Sequence, residues 1–144
     1  EEQFQEFGMK YDMQMLECTS KTWFNMMHIH GPNDRDYQMF ELLLQYPVQV
    51  LNWEDTSATE QGGWDLKKMR SKTDKILCGG INRNTDFNST DRDELKSIIR
   101  ARVQKAIEDA GPDRLIIGPS CGIQMHIPRY RFNVLLEVMD ELTK

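Results

Sequence analysis

Cysteine is scarce in this chain of 144 residues: there are three, Cys18, Cys78 and Cys121, with no scaffold-like spacing among them. An odd, scattered set excludes a disulfide framework and reads as reduced thiols in a cytoplasmic protein. Positive charge is short as well, since 18 Lys and Arg face 23 Asp and Glu for a formal net charge of −5. That balance argues against a general affinity for nucleic acid or for anionic membranes. No apolar run approaches the roughly 20 residues needed to span a bilayer. The opening Glu1-Glu2-Gln3-Phe4 lacks the basic start and apolar stretch of a signal peptide, and it lacks an initiator Met. The chain is therefore expected to be a fragment of something longer. Also missing is a Gly-rich phosphate fingerprint after the first apolar run, which counts against a dinucleotide-binding sheet. What remains, 39% hydrophobic and 28% charged residues, suits one folded domain over 1–144 rather than a disordered chain.

Four short apolar runs are present, near 23–30 (WFNMMHIH), 48–53 (VQVLNW), 75–80 (KILCGG) and 114–119 (RLIIGP). Each has the length of a strand and ends in polar or Gly-rich residues. Between them the period changes to that of a helix. Tyr37–Tyr46 is a short helix stopped by Pro47, and Trp64–Ser71 is another. Asp91–Ala110 is the clearest: Leu95, Ile98, Ile99, Val103, Ala106, Ile107 and Ala110 form one stripe, the first turn is acidic, and Gly111-Pro112 ends it. A last helix starts at Pro128 and buries Phe132, Leu135, Val138, Met139 and Leu142. Glu2–Cys18 also reads as helix, broken near Gly8, with Cys18 expected in the core. Strands alternating with helices predict an α/β fold with a parallel sheet and right-handed crossovers, its strands apolar because both faces are covered. Periodicity leaves two outcomes open, a four-stranded open sheet and half of a (β/α)8 barrel.

In parallel α/β folds, function collects at the carboxyl ends of the strands. Here those ends are His28-Ile29-His30-Gly31, Asn52-Trp53-Glu54-Asp55, Cys78-Gly79-Gly80-Ile81-Asn82 and Pro119-Ser120-Cys121-Gly122. Positions i and i+2 of a strand share a side, so the two imidazoles project together. Two imidazoles and a thiolate make a catalytic zinc set with a fourth position open for water or substrate. The alternative reading is a polar mouth in which His28 and His30 hydrogen-bond to Glu54 or Asp55. Cys78 reads as a buried strand residue, His126 as surface, and the Arg and Lys of Asp91–Ala110 as a solvated helix face.

These strand ends resemble a known family. His28-Ile29-His30-Gly31 looks like the His-x-Cys-Gly segment of the uroporphyrinogen decarboxylase superfamily, and Leu51-Asn52-Trp53-Glu54-Asp55 like its next strand end. Cys78-Gly79-Gly80-Ile81-Asn82 resembles its Gly-Gly-Ile turn, and Gly118-Pro119-Ser120-Cys121-Gly122-Ile123, with Pro128 and Asn133, its closing strand and last helix. The resemblance covers essentially the whole chain in order. It implies the C-terminal half of a (β/α)8 TIM barrel. It also implies one of two chemistries, a metal-free decarboxylation in porphyrin biosynthesis or a zinc-dependent methyl transfer from a corrinoid on a partner protein to a small-molecule thiol. Carried over, the metal ligands are His28, His30 and Cys121, with His30 standing where the family has cysteine. Cys121-Gly122 stands where a decarboxylase has His-Gly, which leans toward the methyltransferase branch. Glu54 and Asp55 are the expected catalytic or histidine-orienting carboxylates, and Asn52, Gly79, Gly80 and Asn82 the expected substrate-binding residues. A tetrapyrrole substrate goes with the decarboxylase reading, and a catalytically inert assembly unit is a third. The exposed edges of a half-barrel predict a homodimer, or pairing with a missing N-terminal half.

Overall fold

A computed structural model describes residues 2–30, 37–56 and 64–143. Four parallel strands alternate with helices: β1 (Met26–Ile29), β2 (Val50–Trp53), β3 (Ile76–Ile81) and β4 (Leu115–Pro119), in the spatial order β1-β2-β3-β4. The first helix, α1, is α-helical over Glu2–Phe4, π-helical over Gln5–Met9 and α-helical again over Lys10–Glu17. Then come α2 (Tyr37–Leu43), α3 (Leu66–Arg70), α4 (Arg92–Ala110) and α5 (Arg129–Leu142). All four predicted strands and all five predicted helices are present, with shorter ends.

Local chemistry sets those ends. Asp65 caps α3 by accepting from the Lys68 N–H at 2.7 Å, and Asp91 caps α4 by accepting from the Glu94 N–H at 2.8 Å. Gly111, at φ 78, closes α4. Pro128 is the residue before α5 rather than its first helical residue. Gly8 does not break α1; it sits inside the π-turn, which absorbs an extra residue. Cys18, expected in the core, is exposed where α1 ends. Leu16 in the last turn still packs against the core, while Cys18 lies just past the last helical residue, Glu17, and points to solvent.

The two faces of the sheet differ. Ile29, Leu51, Trp53 and Leu77 pack with Phe40, Trp64 and Met69 in one core cluster. Phe40 stacks on Trp64 at 5.1 Å, and the Trp53 indole N–H donates to the Trp64 carbonyl at 2.6 Å. A second cluster joins Ile81 and Phe87 to Leu95, Ile99 and Val103 of α4 and to Val134 and Val138 of α5. The sequential strand order has a reason. Right-handed crossovers that all step the same way put every crossover helix on one face. The opposite face carries Met26, His28, Asn52, Cys78 and Ile116, and there Met26 is 51% and Ile116 37% exposed.

The basic side of α4 is solvated but also paired. Arg92 meets Glu137 at 2.6 Å, Lys96 meets Glu141 at 2.6 Å, and Arg100 also meets Glu141. At the amino end of the sheet, the Arg70 guanidinium donates to the carbonyls of Ala110 (3.0 Å), Thr73 (3.1 Å), Lys75 (2.9 Å) and Arg114 (2.9 Å). Arg114 itself adopts the left-handed φ of 60. Arg70→Ala is expected to cost about 2 kcal/mol, because four carbonyls lose charge-assisted donors, and Arg70→Lys to recover only part of it. Urea unfolding of the three proteins measures this; equal midpoints would show that water replaces the guanidinium at no cost.

Candidate metal centre

The cluster assembles at the carboxyl end of the sheet. His28 lies in β1 and His30 just beyond it, with rings edge to face at a centroid distance of 4.5 Å. Both histidines are exposed, and Cys121, just after β4, is partly buried. One donor atom from each of His28, His30 and Cys121 lies within 4.8 Å of the others. A zinc tetrahedron with bonds of about 2.0–2.3 Å has donor–donor edges of roughly 3.3–3.8 Å. The donors therefore need to close by about 1 Å to hold the ion.

That proximity depends on the shape of the sheet. Neighbouring strands are about 4.8 Å apart, so β1 and β4 in a flat four-stranded sheet stand roughly 14 Å apart. Curvature toward the His28 face, with side chains leaning inward, brings them together. Asn52 shows the same curvature: its Nδ2 donates to the Cys78 carbonyl at 2.8 Å and reaches past β3 to the Pro119 carbonyl at 3.1 Å. Its Oδ1 lies 2.5 Å from His28 Nδ1. Asn52, expected to bind substrate, is 7% exposed and links all four strands.

The carboxylates divide between the two faces. Glu54 forms an ion pair with Arg83 at 2.7 Å and receives a long contact from the Ser120 hydroxyl at 3.5 Å. Arg83 also donates to the Gly122 carbonyl at 3.2 Å, tying the loop that carries Cys121 to the end of β2. Residue type at a strand end could have singled Arg83 out, since it follows Ile81-Asn82 directly. Asp55, in contrast, lies on the helix side. It is 3% exposed, accepts from the Gly80 N–H at 2.9 Å, and lines a small pocket of about 50 Å³ with Asp65, Arg102 and Lys105. The orienting hydrogen bond expected from Glu54 or Asp55 comes to His28 from Asn52 instead. Burial raises the Asp55 pKa to about 7, against the opposing pull of the Gly80 hydrogen bond and the Arg102 charge. Burial, and then the nearby Asp55, push the Cys78 thiol up as well.

The glycines and Asn82 have structural work at this end. A Cβ on Gly79 would lie 2.6 Å from Asp55 Oδ1. Gly80 has φ +94, and a Cβ there would lie 2.7 Å from the Ala106 Cβ of α4. Asn82 organises the turn after β3: its side chain accepts from the Asn84 N–H at 2.9 Å, and its own N–H donates to Asp86 at 2.8 Å. Asp86 is in turn paired with Arg102 at 2.9 Å. His126 is exposed, as expected from its loop position.

Together, fold and site define an α/β protein with a four-stranded parallel sheet and a two-histidine, one-cysteine cluster at its carboxyl end. Comparison with protein-family models and with curated proteins finds no match for the chain. Among the described residues, no helix is long and apolar enough to cross a membrane.

Proposed function

We propose that this chain is a zinc-binding member of the uroporphyrinogen decarboxylase superfamily, of the methyltransferase type, and forms the C-terminal half of a (β/α)8 barrel. The observation that carries the metal reading is the convergence of His28, His30 and Cys121 donor atoms from the two outermost strands. The sequential strand order, helices on one face and the contacts that reach across the sheet from β1 and β2 to the end of β4 support the barrel half. The branch rests on the sequence resemblance at Cys121-Gly122.

His28, His30 and Cys121 would hold the metal and leave one position open. When bound, zinc supplies a Lewis-acid centre at which a substrate thiol ionises near neutral pH. The chain's own residues set the geometry around it. Asn52 holds His28, and Arg83 fixes the Cys121 loop against Glu54. The exposed histidine edge leaves room for a small-molecule thiol as methyl acceptor, and for a partner protein carrying the corrinoid methyl donor. A free ligand thiol suits a reducing, cytoplasmic setting. The apolar residues on the open face, Met26 and Ile116, suit pairing with a second copy or with four further βα units. Mass in solution tests the pairing, and a stable monomer would count against it.

Metal analysis of protein purified without chelator tests the centre. Near-stoichiometric zinc is expected in the wild type, with its loss in His28→Ala and Cys121→Ser. Metal-free wild-type protein that also fails to take up added zinc would sink the reading. Consumption of a tetrapyrrole by such metal-free protein would move the assignment to the decarboxylase branch.

A further inference from the structure

We infer that Asn52 is a positioning residue that holds His28 in its Nδ1–H tautomer and so presents Nε2 as the donor atom of the cluster. The purpose of this arrangement rests on the metal-binding reading; its geometry does not.

Hydrogen-bond polarity sets the orientation of both side chains. The Asn52 amide has one end that only donates and one that only accepts. Its Nδ2 faces two backbone carbonyls, those of Cys78 at 2.8 Å and Pro119 at 3.1 Å. Carbonyls only accept, so the reversed amide would set oxygen against oxygen twice. The orientation is fixed from the strands, and Oδ1 must be the atom that meets His28. An oxygen acceptor 2.5 Å from Nδ1 requires a proton on Nδ1. Flipping the imidazole would put a ring carbon at that place, far inside the roughly 3.3–3.6 Å that a C–H contact to oxygen needs. In the neutral ring the lone pair is then on Nε2.

Free neutral imidazole in a histidine side chain favours the other tautomer, with the proton on Nε2 and the lone pair on Nδ1. Asn52 thus reverses the intrinsic preference before any ligand arrives. Metal-ligating histidines depend on such an outer partner to fix tautomer and ring orientation. Asn52 is suited to this because it is 7% exposed and braced by strands β3 and β4, so its oxygen cannot turn away.

Nitrogen-15 NMR of the imidazoles in metal-free protein, at mildly alkaline pH, reads the tautomer directly. The wild type is expected to show His28 as Nδ1–H. Asn52→Leu is expected to shift His28 toward Nε2–H and to weaken zinc binding roughly 10- to 100-fold. Asn52→Ala removes the same acceptor without adding bulk and is expected to give the same shift, which separates the lost hydrogen bond from general packing. An Nε2–H His28 in the wild type, or a tautomer unchanged in Asn52→Leu, would overturn the inference. If Asn52→Leu does not fold, the wild-type spectrum and the Ala variant still decide. A wild type with the expected tautomer that binds no zinc leaves the positioning role standing and removes the metal reading.

Discussion

Gly80→Ala is expected to be among the most damaging single changes, costing about 3–5 kcal/mol and leaving little folded protein at 37 °C. Two independent terms add. Gly80 has φ +94, a backbone region in which a side chain brings strain of about 1–3 kcal/mol. The new methyl would also lie 2.7 Å from the Ala106 Cβ, so α4 would have to move away from β3. Overpacking of this kind adds about 1–3 kcal/mol. The second term can be relieved separately: Ala106→Gly in the Gly80→Ala background is expected to restore part of the loss. Denaturant unfolding of both variants measures this. A Gly80→Ala protein as stable as the wild type would show that the turn relaxes without strain.

Asp55 is expected to make stability fall as pH rises from about 4 to about 7. Its folded-state pKa is raised to about 7, while an unfolded aspartate sits near 3.9. In that window the folded state holds a proton that the unfolded state has lost, so stability declines with pH. Below the unfolded value both states are protonated and the full contribution is present; above about 7 both are ionised and it is gone. The span corresponds to something on the order of 4 kcal/mol. Asp55→Asn is expected to remove this slope and leave a flatter profile. Urea unfolding at a series of pH values, for wild type and variant, checks it. An identical slope in the two proteins would assign the effect to other groups.

Much of the fold was legible because buried parallel strands stand out as short apolar runs between amphipathic stretches. The runs overshot where apolar residues lie outside the ladder. Trp23 and Phe24 read as strand, yet Trp23 is 89% exposed, and pairing starts only where the Asn25 carbonyl accepts from the N–H groups of Gln49 and Val50. Cys18 is exposed because the helix stops at Glu17, after Leu16 has made its core contact, and helical periodicity does not mark that end. The His28–His30 pair was legible from strand alternation, and the same rule places Asp55 beside Trp53 on the helix face, away from Asn52 and Glu54. Its separation from the cluster is therefore written in the strand alternation, although Glu54 and Asp55 are neighbours in sequence. The links from Asn52 to Pro119 and from Arg83 to Gly122 were not legible. They depend on how strongly the sheet curves, and curvature is a property of all four strands together.

The sheet's bracing residue also has a consequence for the order of folding. Asn52 bonds to His28 across 24 residues of chain and to Pro119 across 67. Each strand pairing is a local crossover, but the Asn52–Pro119 bond can close only when β2–β3 and β3–β4 are both in register. Contacts of long sequence separation form late, because chain closure is entropically costly until the intervening pairs exist. The donor cluster should thus be the last part of the molecule to assemble. A metal ion at that site would act mainly on the unfolding rate and leave the folding rate nearly unchanged.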